Sequence, residues 1–141
     1  MDQIFRIDIV HARDHQPDHY RDYIEGQRAL QLLDAEGRER AELVWRVATG
    51  HTVEITEFGI HDPQDRRKGW GTKLLKTAIE DMRGFFLKRG YRLRRVYLFC
   101  EARNGDARDF YEAQGFRLEG LMKTFYFDGD GDAALYVLSM E

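Results

Sequence analysis

The chain has 141 residues, 43% of them hydrophobic and 33% charged, and this composition indicates one ordinary globular domain, residues 1–141, rather than a disordered or fibrous chain. The 25 acidic and 22 basic side chains give a formal charge of −3, which disfavours nucleic acid or an anionic membrane as a partner. The single cysteine, Cys100, excludes an internal disulfide, and with no apolar leader or membrane-length stretch we expect a cytoplasmic protein.

The N-terminal residues predict a strand over Gln3–Val10, and then a polar segment, His11–Gln27, with a turn and one or two short helices. Three histidines of this segment are spaced by four residues and could hold a metal on one face of a continuous helix: they are His11, His15 and His19. Pro17 interrupts such a helix, and we therefore predict no metal site.

Two strands of a β-hairpin are predicted next, over Arg28–Leu33 and Glu42–Ala48, with a turn at Asp34–Gly37. Thr49–His51 then turns the chain into a central strand of β-branched and aromatic residues. This strand ends near Ile60, because a turn containing proline follows.

A basic loop with two glycines links the central strand to a long amphipathic helix, whose apolar residues recur at three- and four-residue spacing from Leu74 to Phe86. The first turn of a helix has unpaired N–H groups and the positive end of the helix dipole, and glycines allow a phosphate to approach the backbone closely. We therefore predict an anion site. The loop reads Arg66-Arg67-Lys68-Gly69-Trp70-Gly71-Thr72.

The spacing of the glycines limits which phosphate ligand this loop can bind. A nucleoside-triphosphate loop requires four residues between its glycines, whereas only Trp70 separates Gly69 from Gly71. A dinucleotide fingerprint requires a third glycine where Leu74 stands. Neither pattern fits.

Beyond the helix, which is predicted to end near Lys88–Gly90, Arg94–Glu101 is predicted as a strand parallel to the central strand through a right-handed crossover. A short helix follows, with Asp106 as its N-cap and Gly115 as its end.

Two closing strands are predicted over Arg117–Phe127 and Ala133–Met140. The segment between them, Asp128–Asp132, is rich in aspartate and glycine but lacks the final glutamate of a calcium loop, so we predict a hairpin turn.

Two sequence patterns, in this order, resemble those of the GNAT superfamily of N-acetyltransferases. The loop matches Arg/Gln-x-x-Gly-x-Gly/Ala, and the short helix matches Asn-x-x-Ala-x-x-x-Tyr-x-x-x-Gly-Phe, each between a strand and a helix. The matching residues are Arg66, Gly69 and Gly71 in the first pattern, and Asn104, Ala107, Tyr111, Gly115 and Phe116 in the second.

The resemblance covers about residues 44–141 and implies an α/β fold. The expected architecture is a mixed, mostly antiparallel central sheet of six to seven strands with flanking helices, in which a central parallel strand pair splays apart.

The resemblance also implies acetyl-coenzyme A as co-substrate. The loop would bind its pyrophosphate, and the opened edge of the central strand, with the second motif, would bind its pantetheine arm. The implied cofactor-binding residues are Phe58, Ile60, Arg66, Arg67, Lys68, Gly69, Trp70, Gly71, Thr72, Asn104, Phe110 and Tyr111.

The implied reaction is acetyl transfer to a primary amine of a small molecule or protein, by direct attack in a ternary complex. Tyr111 resembles the acid that protonates the departing thiolate. Glu54 and Glu57 are the candidate bases; three residues apart on a strand, they are expected on opposite faces, so that at most one lines the acceptor site. Glu54 better matches the glutamate of members that acetylate lysine side chains, and Glu57 is the alternative.

The identity of the acceptor amine stays open. His11–Gln27 is short for the two helices that wall the acceptor site in the family, so that the site is open, completed by a second subunit of a homodimer, or shaped by Tyr20, Tyr23 and Trp45. Acidic residues of this segment would suit a cationic acceptor such as a polyamine, a lysine side chain or an aminoglycoside: they are Asp14, Asp18, Asp22 and Glu25.

Two other functions also stay open. The chain could be a coenzyme A-binding module without turnover, or it could transfer a larger acyl group, since Phe58 and Phe99 do not decide the size of the acyl pocket. A nucleic-acid surface at Arg92, Arg94 and Arg95 is disfavoured, because no aromatic side chains for base stacking are interleaved with these arginines.

Overall fold

The computed structural model describes residues 5–11, 27–126 and 131–140. The strands of these ranges are β1 (Arg6–His11), β2 (Gln27–Leu33), β3 (Glu39–Thr49), β4 (Thr52–Ile60), β5 (Arg95–Glu101), β6 (Arg117–Met122) and β7 (Ala133–Ser139). The α-helices are α1 (Trp70–Lys88) and α2 (Gly105–Ala113), and a 3-10 turn over Pro63–Asp65 precedes α1.

The strands form one seven-stranded sheet in the order β1-β2-β3-β4-β5-β7-β6. Neighbouring strands are antiparallel except β4 and β5, which are parallel and joined through α1. The predicted mixed sheet and its central parallel pair are confirmed. The last strand of the chain, β7, lies between β5 and β6, so β6 forms an edge of the sheet.

Helix α1 covers one face of β2, β3 and β4 with an apolar stripe, made of Leu74, Leu75, Ala78, Met82, Phe85 and Phe86. The fully buried ring of Trp45 meets Phe85 edge to face, with 5.4 Å between ring centroids. Its Nε1 donates to Asp81 at 3.2 Å, and Arg28 donates twice to the same carboxylate, at 2.9 and 2.7 Å. These contacts fix the second half of α1 against the sheet.

Strands β4 and β5 pair only at their beginnings, and the last pair joins Glu54 to Tyr97. Beyond Glu54, no described strand pairs with the edge of β4 that faces β5. The predicted splay is confirmed, and it opens a gap between the two strands at the centre of the sheet.

A β-bulge interrupts the pairing of β4 with β3. Trp45 lies opposite Ile55, but the preceding residue of β3, Val44, lies opposite Glu57. Thr56 is therefore the extra residue, left without a direct partner on β3.

The bulge decides which carboxylates of β4 share a face. Glu54 lies opposite Arg46 and Glu57 opposite Val44, and Arg46 and Val44 are two residues apart on β3. Both glutamates therefore point to the face away from α1. The prediction that they lie on opposite faces is wrong. Side chains three residues apart on a regular strand point to opposite faces, but the extra residue of the bulge brings Glu57 back to the face of Glu54.

Three local predictions also need correction. The N-cap of α2 is Asn104 rather than Asp106, since Asn104 Oδ1 accepts the N–H of Ala107 at 3.1 Å. β6 ends at Met122 rather than Phe127, because Thr124 has a left-handed backbone (φ 48°) that turns the chain. β1 begins at Arg6, and the residues before position 5 lie outside the described ranges.

Residues 12–26 and 127–130 lie outside the described ranges as well. The predictions for the polar segment beyond His11, for its histidines, tyrosines and acidic side chains, and for most of the turn between β6 and β7 fall on these residues.

Candidate active site

A groove of about 680 Å³ runs from the start of α1, along the open part of β4, to the inner side of α2. The groove brings together most of the predicted cofactor-binding residues: Phe58, Ile60, Arg66, Arg67, Gly69, Gly71, Thr72, Asn104, Phe110 and Tyr111. Two segments that are about 40 residues apart in the chain therefore form one site.

The loop end of the groove has backbone geometry that suits an anion. The N-cap of α1 is Gly69, which has a left-handed backbone (φ 85°) and gives no side-chain cap to the helix. The first-turn N–H groups thus have no capping acceptor, and a ligand anion can take that place. Arg67 is also left-handed (φ 62°), and alternating backbone hands of this kind turn successive N–H groups toward one point.

Gly71 allows the first turn of α1 to lie close to α2. A Cβ at this position would stand 3.4 Å from the ring of Phe110 and 3.8 Å from Ile60. A Cβ at these distances makes ordinary van der Waals contact, and a longer side chain would project into the groove between the loop and α2. The first glycine of the loop is thus favoured by its positive φ, whereas the second leaves space between α1 and α2 that a long side chain would fill.

Tyr111 projects from α2 toward the open edge of β4 and is 8% exposed. Its ring packs against Phe58, Phe110 and Phe116, at centroid distances of 6.3, 5.4 and 5.7 Å. Burial raises the pKa of Tyr111, and the nearby Cys100 thiol adds to this rise. The phenol is therefore held protonated well above neutral pH.

Helix α2 is held by hydrogen bonds at both ends. Asn104 caps its start, and Gln114 Nε2 donates to Thr72 Oγ1 of α1 at 3.0 Å. On its other side the buried Tyr136 hydroxyl donates to Glu112 at 2.6 Å and accepts from Arg108 Nε at 2.9 Å. These contacts fix the helix that carries Tyr111.

Glu54 accepts hydrogen bonds from neighbouring side chains. Its Oε1 accepts from Arg46 Nε at 3.0 Å and from Arg46 Nη2 at 2.6 Å. The Tyr97 hydroxyl lies 3.5 Å from the same oxygen. This carboxylate is thus neutralised by an arginine at the position where β4 and β5 separate.

Glu57 lies in a different electrostatic environment. Its neighbours on the same face include Glu42, whose pKa is raised by burial, by Glu39 and by a hydrogen bond with Glu57. In the part of the chain that the structure describes, no arginine or lysine forms an ion pair with Glu57. The outer face of β3 and β4 is therefore acidic beside the gap between β4 and β5.

The model of the acetyltransferase (GNAT) family matches residues 13–116, which include the loop, the open strand pair and both motif patterns. The chain belongs to the GNAT acetyltransferase family.

Solved GNAT structures share the fold over nearly the whole chain. A GNAT family acetyltransferase from Elizabethkingia anophelis, with acetyl-CoA bound, is 15% identical with a TM-score of 0.74, over 96% of this chain and 98% of that one. The ribosomal-protein-S18-alanine N-acetyltransferase from Escherichia coli is 22% identical with a TM-score of 0.72, over 98% and 96%. The spermidine/spermine N-acetyltransferase from Vibrio cholerae is 21% identical with a TM-score of 0.68, over 89% and 74%. No curated protein sequence matches the chain.

Within this GNAT chain, some predicted site residues lie apart from the groove. Trp70 packs on Phe5, with 4.5 Å between ring centroids, and neither Trp70 nor Lys68 lines the groove. Glu54 and Glu57 lie on the outer face of β4 and do not line the groove.

Sequence reasoning missed other groove residues, namely Gly59, Asp106, Ala107 and Asp109. Ala107 belongs to the second motif and could have been found from it. Asp106 and Asp109 could have been found from helical spacing, since they lie three residues apart on one side of α2. No helix in the described ranges is long and apolar enough to cross a membrane, and no cluster of three metal-ligating side chains occurs in them.

Proposed function

We propose that the chain transfers an acetyl group from acetyl-coenzyme A to a primary amine of a small molecule or a protein, by direct attack within a ternary complex. One observation carries this proposal: a single groove joins a helix N-terminal anion site to an open strand edge and then to a buried tyrosine. A ligand with a diphosphate, an amide-containing arm and a reactive thioester requires these features in this order.

The loop and β4 would hold the donor. N–H groups of residues 67–72 face the diphosphate, and the exposed side chains of Arg66 and Arg67 add positive charge. The unpaired edge of β4 at Phe58 and Ile60 pairs with the amides of the pantetheine arm, as an added strand would. Asn104 lies beside this arm.

Acetyl-coenzyme A supplies the acetyl group as an activated thioester, and Tyr111 supplies a proton. When the bond from carbon to sulfur breaks, the thiolate takes the proton from Tyr111 Oη. The raised pKa favours the neutral phenol, so the donor is present throughout the pH range in which the acceptor amine loses its own proton.

Glu57 is the carboxylate that we favour as proton acceptor, directly or through water. Arg46 holds both of its short contacts on one oxygen of Glu54, so that oxygen is already occupied by an ion pair and is not free to approach an amine. Glu57 has carboxyl neighbours instead, and it lies beyond the point where the strands separate. Glu54 would then bind or orient the amine.

The acidic outer face also favours a cationic amine as acceptor. Glu42, Glu54 and Glu57 share this face of β3 and β4. A polyamine would bring a second positive charge, and a lysine side chain would bring an ammonium group. An acidic surface attracts both.

The test is thermal stability with and without acetyl-coenzyme A, for the natural chain and for Gly71→Glu. A ligand that binds the folded state raises the melting temperature, and Gly71→Glu should abolish this rise by filling the groove with a charged side chain. Gly84→Glu is the matched control: it makes the same change on the same helix, where a Cβ meets nothing within 4 Å. Gly71→Ala tests the steric effect without the charge.

A rise that Gly84→Glu retains and Gly71→Glu loses would establish the donor site. Amines of increasing charge would then be screened as acceptors, with acetyl- and propionyl-coenzyme A as donors. Ligand binding without transfer to any amine would instead indicate a coenzyme A-binding module. No rise in the natural chain at millimolar acetyl-coenzyme A would refute the donor site.

A further inference from the structure

Asp65 is an acidic residue buried directly before the loop Arg66–Thr72. It ends the turn Pro63–Asp65 and is only 1% exposed. Its Oδ2 accepts from Arg40 Nε at 2.8 Å. A buried carboxylate without a partner would cost considerable free energy, and the contact with Arg40 offsets this cost.

Arg40 also contacts three other parts of the structure. Its Nη1 lies 3.4 Å from Asp34 Oδ2, in the turn between β2 and β3. Its guanidinium lies 5.7 Å from the ring centroid of Phe5, and Phe5 packs on Trp70, the first residue of α1. Its backbone carbonyl accepts the N–H of His61 at 2.9 Å. Arg40 therefore holds the chain at both ends of the segment that leads into the loop.

Asp34, which Arg40 contacts in the turn between β2 and β3, is itself held by hydrogen bonds. Asp34 is 5% exposed and accepts the N–H groups of Glu36 and Arg38, at 3.0 and 2.9 Å, within the turn between β2 and β3. Arg40 thus connects a rigid hairpin turn to Asp65. The connection crosses from β3 to the start of the loop.

We propose that Arg40 and Asp65 are positioning residues for the diphosphate of coenzyme A. They hold the turn Pro63–Asp65 so that the N–H groups of the following loop converge, and Arg40 neutralises a buried negative charge that would otherwise repel the diphosphate. This inference rests on the proposed donor site and adds to it two residues outside the groove.

The experiment measures the dissociation constant of coenzyme A by calorimetry, at a temperature at which every variant is folded. Arg40→Gln should weaken binding by roughly tenfold to a hundredfold, which is within the range of couplings between groups of one hydrogen-bond and salt-bridge network. Arg28→Gln is the matched control. Arg28 forms a similar half-buried pair with Asp81, at 2.9 and 2.7 Å, and lies on the α1 side of the sheet away from the loop. It should lower stability and leave the dissociation constant within about twofold.

A double-mutant cycle separates the charge from the geometry. The double variant Arg40→Gln with Asp65→Asn should bind coenzyme A more tightly than Arg40→Gln alone, because it removes the uncompensated carboxylate. Arg40→Lys, which keeps the charge, should recover part of the affinity, and it serves as the test variant if Arg40→Gln does not fold.

Equal dissociation constants for Arg40→Gln and Arg28→Gln would overturn this inference while leaving the donor site intact. If the natural chain itself did not bind coenzyme A, both the donor site and the role of Arg40 would be refuted. Tighter binding by the double variant than by Arg40→Gln supports the charge role, and no difference between them overturns that role.

Discussion

Glu54 and Glu57 point to the same face of β4 although they are three residues apart, because Thr56 is an extra residue in the pairing with β3. The two carboxylates therefore stand side by side on the face away from α1, next to the gap between β4 and β5. Their partners differ: Arg46 binds Glu54, and Glu57 has carboxyl neighbours. This pair allows a direct comparison of two candidate bases that share one face of the sheet but differ in their charged neighbours.

Glu57→Gln should lower kcat by about a hundredfold with little change in the KM for acetyl-coenzyme A, a typical effect of losing a general base. Glu54→Gln should lower kcat less and act mainly on the KM for the amine. The measurement is steady-state kinetics with both substrates varied, once an acceptor is known. A larger loss of kcat in Glu54→Gln than in Glu57→Gln would reverse the assignment.

Tyr111→Phe should lower kcat by roughly a hundredfold, since it removes the proposed proton donor and leaves the ring packing in place. In the natural chain, kcat should show no loss between pH 8 and about pH 10 from ionisation of the phenol, because burial raises the pKa of Tyr111 above its ordinary value of about 10. A pH–rate profile checks both statements, and full activity in Tyr111→Phe would exclude the phenol as the acid.

The same shift predicts a loss of stability in alkaline solution. A raised tyrosine pKa means that the folded state keeps its proton while the unfolded chain loses it, so stability is fully present below about pH 10 and falls as the pH rises further. Urea unfolding at several pH values should show a smaller alkaline loss for Tyr111→Phe than for the natural chain. Parallel curves for the two proteins would contradict this prediction.

Arg67→Gly should raise the free energy of unfolding by about 0.5 kcal/mol, because an arginine with a positive φ is strained and the gain exceeds the entropic cost of glycine. It should also weaken acetyl-coenzyme A binding a few-fold, since a charge is lost at the diphosphate. Thr124→Gly is the control, for Thr124 has a positive φ as well but lies after β6. It should gain similar stability and bind acetyl-coenzyme A normally; a parallel loss of binding would argue against a specific role for the loop.

Tyr136→Phe should lower the free energy of unfolding by about 1–2 kcal/mol, because the hydroxyl that joins Glu112 and Arg108 is lost from a fully buried position. Since these partners belong to α2, kcat should also fall several-fold through displacement of Tyr111. Chemical unfolding and kinetics on the same preparation test this. Reduced stability with unchanged kcat would show that the contact supports the fold alone.

Local patterns in the sequence were sufficient for most of the fold. The hairpin β2–β3, the central strand β4 and helix α1 were predicted within a few residues, because alternating and helical apolar patterns report directly on burial. The loop and the α2 motif also lie in the predicted strand-to-helix contexts. The N-cap of α2 was predicted at the wrong residue, since Asn104 and Asp106 are both good N-cap residues and only Asn104 takes the position.

The sequence by itself determined the glycine spacing that excludes other phosphate loops, the Asn-Ala-Tyr-Gly-Phe pattern, and the helix that presents its N-terminus to the loop. These features depend on residues near one another in the chain. Only the tertiary structure decided that β7 lies between β5 and β6, that a bulge at Thr56 brings Glu54 and Glu57 to one face, and that Arg40 reaches Asp65. Each of these features depends on contacts between segments that are distant in the sequence. One extra residue in a strand, or a change in the order of two strands, alters every contact that follows.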